Sequence, residues 1–185
     1  MNISPEEAQE ALAAIKQTNT QMHKAYGYNG YYLMLWGLIW FVGFLASQYI
    51  QSSLINWIWG GLITIGWVVS TFLGVNQSKQ VRSIVGPRIG FFYLALIGFT
   101  IFWFIILQPL EVKQGILFLI SIIMFGGVVV GVFARSTSTI TGSVSITVLA
   151  VVGYYLVPVY FDLWVAVFCG LAMFGIGLTL RLKWR

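Results

Sequence analysis

The chain has 185 residues, 59% of them hydrophobic and only 8% charged, with a mean hydropathy of +0.88. A soluble domain carries about 25% charged residues, so most of this surface faces lipid rather than water. The net charge of +5 is spread between apolar stretches without a basic cluster or stripe, which speaks against a nucleic-acid partner. The single cysteine, Cys169, lies inside an apolar run and has no internal disulfide partner.

The chain opens Met1-Asn2-Ile3-Ser4-Pro5-Glu6-Glu7, acidic where a signal peptide is basic, and the first apolar run starts only near Tyr31. Ser4-Pro5-Glu6-Glu7 reads as a helix start. Ser4 suits the cap, Glu7 reaches back to it, and Pro5 suits the first helical position. Glu6, Glu7 and Glu10 come early and Lys16 and Lys24 late, which complements the helix dipole. Gly27, Asn29 and Gly30 are expected to end this helix before the membrane. The reading therefore sets 1–28, a short cytoplasmic amphipathic helix and linker, apart from 29–185, a transmembrane bundle.

The apolar face of the leading helix is Ala8, Leu12, Ile15, Met22 and Tyr26, with Asn19 interrupting. Spacings of four and three alternate, as in a heptad stripe, and an Asn in such a stripe fixes register. One reading is a docking helix that uses Leu12, Ile15, Asn19 and Met22 to bind a protein partner or a second copy. Another is a helix packed on its own cytoplasmic connections. A third is a membrane-surface helix, against which the acidic first turns and the lack of Trp or Phe argue. His23, the one histidine, reads as a solvated polar residue.

Six apolar stretches come next, near 31–50, 54–75, 89–108, 115–134, 140–159 and 162–181. Each has the length needed to cross about 30 Å of hydrocarbon at 1.5 Å per residue. They are continuously apolar rather than alternating, which excludes a β-barrel reading. The expected fold is an all-α integral membrane protein of six transmembrane helices in three hairpins. Basic residues orient it: Lys16, Lys24, Lys79, Arg82, Arg88, Arg135, Arg181, Lys183 and Arg185 fall on one side of this threading, and only Lys113 falls on the other. The expectation is a multi-pass protein of the cell membrane with both termini cytoplasmic. Glu111 and Asp162 join Lys113 on the outer side. Pro5, Pro87, Pro109 and Pro158 all sit at or near helix ends. The hydroxyl-rich run from Ser136 to Thr147 is expected to cap the fifth span.

Little chemistry is on offer. No His/Cys/carboxylate group has metal-ligand spacing, no carboxylate pair suits acid–base catalysis, and apart from Asp162 and Arg181 at span ends no charge falls within the spans, where ion-coupled transporters keep one. The chain reads as a non-enzyme without a cofactor. Small residues recur at helix-packing spacing: Gly66, Ser70 and Gly74; Gly127 and Gly131; Gly86 and Gly90. These read first as packing within one bundle. Trp36, Trp40 and Trp67 lie deep, where an indole N–H needs a partner. Asn56, Thr64, Thr100 and Ser121 are the polar side chains available.

Two functions from different classes fit. The first is a membrane scaffold or regulatory subunit acting through the leading helix. The second is a small-solute binding or transport protein, with an outward-facing cavity lined by Trp40, Trp67, Trp103 and Tyr155 for a neutral or apolar ligand. In size, helix count and orientation the chain resembles the substrate-binding membrane subunits of energy-coupling-factor vitamin importers. The resemblance is one of architecture. The first span has no Ala-xxx-Ala coupling motif, Gly43 and Ser47 being the nearest substitute, and no substrate-binding motif carries over.

Overall fold

A computed structural model describes the backbone of residues 5–50, 52–80, 86–107, 111–133 and 136–183. Side chains are described at Gln9, Leu12 and from Asn29 onward, apart from those at 78–80, 86–89 and 183. All regular structure among these residues is helical: α1 (Pro5–Tyr49), α2 (Leu54–Gln80), α3 (Gly86–Ile106), α4 (Val112–Phe133) and α5 (Thr137–Leu156). A final helix is built in pieces. A 3₁₀ turn (Pro158–Tyr160) leads into α6 (Phe161–Trp164), a π-helical turn (Val165–Gly170) widens it, and α7 (Leu171–Lys183) completes it.

Five stretches among the described residues are long and apolar enough to cross a membrane: Asn29–Tyr49, Leu54–Gln77, Val112–Phe133, Thr137–Leu156 and Pro158–Leu182. Gly90–Ile106 is apolar but shorter. Ser136 caps α5 as expected, its side chain accepting the Thr139 amide. The description of α1 starts at Pro5, and the expected Ser4 cap lies outside the described residues.

One expectation is overturned. α1 does not end at Gly27–Gly30 but runs unbroken for 45 residues. The reason is packing. Gly30 sits so close to the final helix that a Cβ on it would lie 2.7 Å from the Gly177 carbonyl oxygen. Gly37 meets Gly170 in the same way, a Cβ there falling 2.8 Å from the Gly170 carbonyl oxygen. The relation is reciprocal. A Cβ on Gly170 would stand 2.8 Å from the Phe41 nitrogen, and one on Gly177 2.6 Å from the Gly30 carbonyl oxygen. Two glycines seven residues apart on each helix thus form an antiparallel seam of backbone against backbone. Such close approach drives helix association in lipid, where apolar side chains gain nothing by leaving the tails.

The elements pack in the order α2, α1, final helix, α5, α4, α3. Chain neighbours do touch as hairpins, yet the most extensive interfaces, α1 with α7 and α4 with α5, join different hairpins. The core lies among α1 (Ile39, Trp40, Phe44), α4 (Ile120, Met124), α5 (Ile146, Ala150) and the final helix (Phe161, Val165, Ala166, Cys169, Met173). The stripe of Gly66, Ser70 and Gly74 on α2 lies on α1. Gly66 meets Trp36 and Ile39, the Trp36 indole donates to Ser70 Oγ at 3.2 Å, and Tyr32 donates to the Ser70 carbonyl at 3.3 Å. Gly127 and Gly131 of α4 meet Ser143 and Ile140 of α5. The small-residue stripes on α2 and α4 therefore serve packing within one chain.

Candidate functional site

Three places invite a chemical reading: the part of α1 that extends past the span, the aromatic residues expected to line a cavity, and the end of the bundle where Gln48 and Asp162 lie.

α1 starts 24 residues before its apolar stretch at Asn29, a reach of about 36 Å at 1.5 Å per residue. In the register set by Gly30 opposite Gly177, Lys183, the last described residue of α7, lies level with Lys24. Among the described residues, none of the final helix lies beside the arm beyond that level. Leu12, one of the expected docking residues, is 66% exposed. It precedes Gly30 by 18 residues, five full turns at 3.6 residues per turn, so it shares the face that the final helix covers lower down. Ile15, Asn19 and Met22 lie outside the described side chains. At the level where α7 ends, the Arg181 guanidinium stacks over the Tyr31 ring at 4.6 Å, which ties the two helices together at the base of the arm.

The four aromatic residues occupy different settings. Trp40 is in the core at 7% exposure, edge-on to Phe44 at 6.0 Å. Trp67 on α2 is 48% exposed and Tyr155 on α5 is 73% exposed. Trp103 on α3 packs on Phe99 and Phe102 of its own helix. Trp40 belongs to the packed interior, whereas Trp67 and Tyr155 present their rings on the outside of the described bundle. The polar groups expected to satisfy deep indoles do other work: Thr64, Thr100 and Ser121 each donate to a carbonyl one turn back on their own helix. The partners are Ser70 for Trp36, Ser47 for Trp59 at 2.9 Å, and the Leu149 carbonyl for Trp164 at 2.8 Å.

At the opposite end from the arm, sequence reasoning missed a polar junction. Gln48, in the last turn of α1, accepts the Leu163 amide at 3.3 Å and donates to the Val159 carbonyl at 3.4 Å. It thereby takes up main-chain groups that the irregular start of the final helix leaves open. Lys113 of α4 donates to the Pro158 carbonyl. Asp162 has one carboxylate oxygen buried without a hydrogen-bond partner, and the Lys113 charge acts on it. Gln48 and Lys113 thus bind α1 and α4 to the start of the final helix. The signal was available: Gln48 and Asp162 flank apolar runs that adjoin once α1 and the final helix are paired antiparallel. Among the described residues, no three of His, Cys, Asp and Glu come together as metal ligands would.

Fold and sites together define a class: among the described residues, an all-helical protein with five stretches long and apolar enough to cross a membrane, the first within a helix far longer than a bilayer is thick. No protein-family model, no curated protein and no solved structure matches this chain.

Proposed function

We propose that this chain is a non-catalytic scaffold or regulatory subunit of the cell membrane that acts through the arm of α1. In this reading six helices cross the membrane in three hairpins, α3 being the sixth span alongside the five longer ones, and both termini are cytoplasmic. The nine-to-one distribution of Lys and Arg between the two sides supports that orientation. Pro5 to Tyr28 then stand in the cytoplasm as a helical arm with a heptad apolar stripe.

The observation that carries the reading is the continuity of α1 from Pro5 to Tyr49 together with the exposure of Leu12. A flexible tether would only localise a partner. An unbroken helix seated on the glycine seam fixes its orientation as well. The exposed Leu12 on that helix favours docking over packing on the connections of its own chain.

The test is the double variant Leu12→Asp/Ile15→Asp, expressed in the native host in place of the wild-type chain. Copurifying proteins are quantified by mass spectrometry, and the purified variant is melted in detergent. The expected result is loss of a specific partner by at least about tenfold, since two charges placed in an apolar helix contact each cost more than the 1.4 kcal/mol of a tenfold change. The melting temperature stays unchanged. Unaltered copurification would sink the proposal.

A further inference from the structure

Arg181 stands at the end of one apolar stretch, Pro158–Leu182, and Tyr31 at the start of another, Asn29–Tyr49. The two meet at the same end of the bundle, the Arg181 guanidinium lying 4.6 Å from the centre of the Tyr31 ring. The glycine seam puts them there: a Cβ on Gly30 would stand 3.1 Å from the Arg181 nitrogen. In the register of that seam, Lys24 of α1 and Lys183 of α7 lie level with each other just beyond this contact. Two paired helices thus bring three basic residues to one end of the bundle.

None of the five carboxylates of the sequence stands near them. Glu10 precedes Tyr31 on the continuous α1 by about 30 Å at 1.5 Å per residue, and Glu6 and Glu7 are farther still. Asp162 lies in the first turn of α6, at the opposite end of the stretch that Arg181 completes. Glu111 is at that opposite end too, next to the start of α4, where Lys113 bonds the Pro158 carbonyl. The charge at the Arg181 end is therefore not met by these carboxylates.

With the two stretches read as membrane spans, Arg181 sits where hydrocarbon gives way to headgroups. A charge at that boundary is less well screened than in bulk water. A guanidinium offers parallel N–H donors that match two oxygens of a phosphate. Its contact with the Tyr31 ring restrains the side chain in advance, so less freedom is lost when a ligand is taken up. A zwitterionic headgroup brings an ammonium of its own into a basic site, whereas an anionic one does not. In the proposed orientation this end faces the cytoplasmic leaflet, which carries the anionic lipid. We infer that Arg181, held on Tyr31, is the headgroup site for an anionic phospholipid, and that Lys24 and Lys183 add to the attraction. The inference rests on the reading of the spans and not on the partner of the arm.

The test is native mass spectrometry of the full chain in detergent, titrated with phosphatidylglycerol or with phosphatidylcholine of identical acyl chains. The wild-type chain is expected to bind one phosphatidylglycerol at least about tenfold more tightly than phosphatidylcholine, and Arg181→Gln to lower that preference by about fivefold. Arg181→Lys keeps the charge without the planar fork and should bind more weakly than wild type. Lys113→Gln, at the other end of the bundle, should keep the full preference. Equal binding of the two lipids by the wild-type chain overturns the inference, and this comparison stands whether or not a variant folds. An unchanged preference in Arg181→Gln overturns it, as does an equal loss in Lys113→Gln, which would make the preference one of net charge. Displacement of the lipid by millimolar inorganic phosphate would assign the site to a soluble anion and overturn it too. A chain that fractionates with membranes yet gives any of these results leaves the reading of the spans standing.

Discussion

A methyl group on Gly37 would stand 2.5 Å from the Phe174 nitrogen and 2.8 Å from the Gly170 carbonyl oxygen. Neither is the end of a flexible side chain, so the helices must move apart to admit it. Gly37→Ala is expected to lower stability by about 1–3 kcal/mol, the range for overpacking a tight contact. Gly60 is the control. A Cβ there meets open space, and Gly60→Ala should be neutral or stabilise by up to about 1 kcal/mol through helix propensity. Thermal unfolding of both variants in one detergent checks this, and equal melting temperatures would contradict the seam. Ser70→Ala removes the acceptor of the Trp36 indole and should cost only about 0.6 kcal/mol, the average for such bonds in membranes. At this scale the sequence was half legible. The stripe of Gly66, Ser70 and Gly74 stood out because small residues at four-residue spacing share a face. Gly30 and Gly37 share a face too, at seven-residue spacing, but Gly30 stands beside Gly27 and Asn29 and so looked like the end of a helix.

The final helix is the least regular element, and its irregularity is local. Across the π turn the Leu171 amide reaches back five residues to the Ala166 carbonyl. Removing Val167, whose side chain is exposed, turns that bond into an ordinary four-residue one. The flanking contacts, Gln48 with Leu163 on one side and Gly37 with Gly170 on the other, keep their places. Deletion of Val167 should therefore leave the fold intact. Deletion of Gly175, which lies between Gly170 and Gly177, should unfold the seam, because each residue lost from a regular helix rotates the remainder of that helix by about 100°. Helical content and melting temperature of the two deletions make the comparison, and equal damage would show that the π turn is not a local insertion. Composition gave no sign of this turn, since Val165–Gly170 is as apolar as its neighbours. The start of α5 was more legible: Ser136 caps it. For the cavity residues, the sequence reported depth along a span but not the side on which each ring emerges. Trp40 and Trp67 were alike by that measure, yet one is interior and the other is on the outer surface.

At the scale of the whole molecule, hydropathy located the apolar stretches and hairpin neighbours, because both arise from bilayer thickness and short connections. It could not show that α1 pairs most extensively with α7, since that depends on glycines near opposite ends of the chain. The pairing has a geometric consequence. With α1 held on the final helix and fastened by Gln48 at its far end, the arm points where the bundle points. An oriented arm requires α1 to be one rigid helix across the membrane surface, and double electron–electron resonance on the full chain in nanodiscs tests that directly. Spin labels at Leu12→Cys and Leu38→Cys, both exposed positions, are introduced with Cys169→Ser. A continuous helix places the two backbone sites about 39 Å apart at 1.5 Å per residue, and one narrow distribution near that distance is expected. A broad distribution, or one centred well below about 30 Å, would mean that the chain breaks near Gly27–Gly30, as its composition suggests, and would contradict an oriented docking arm.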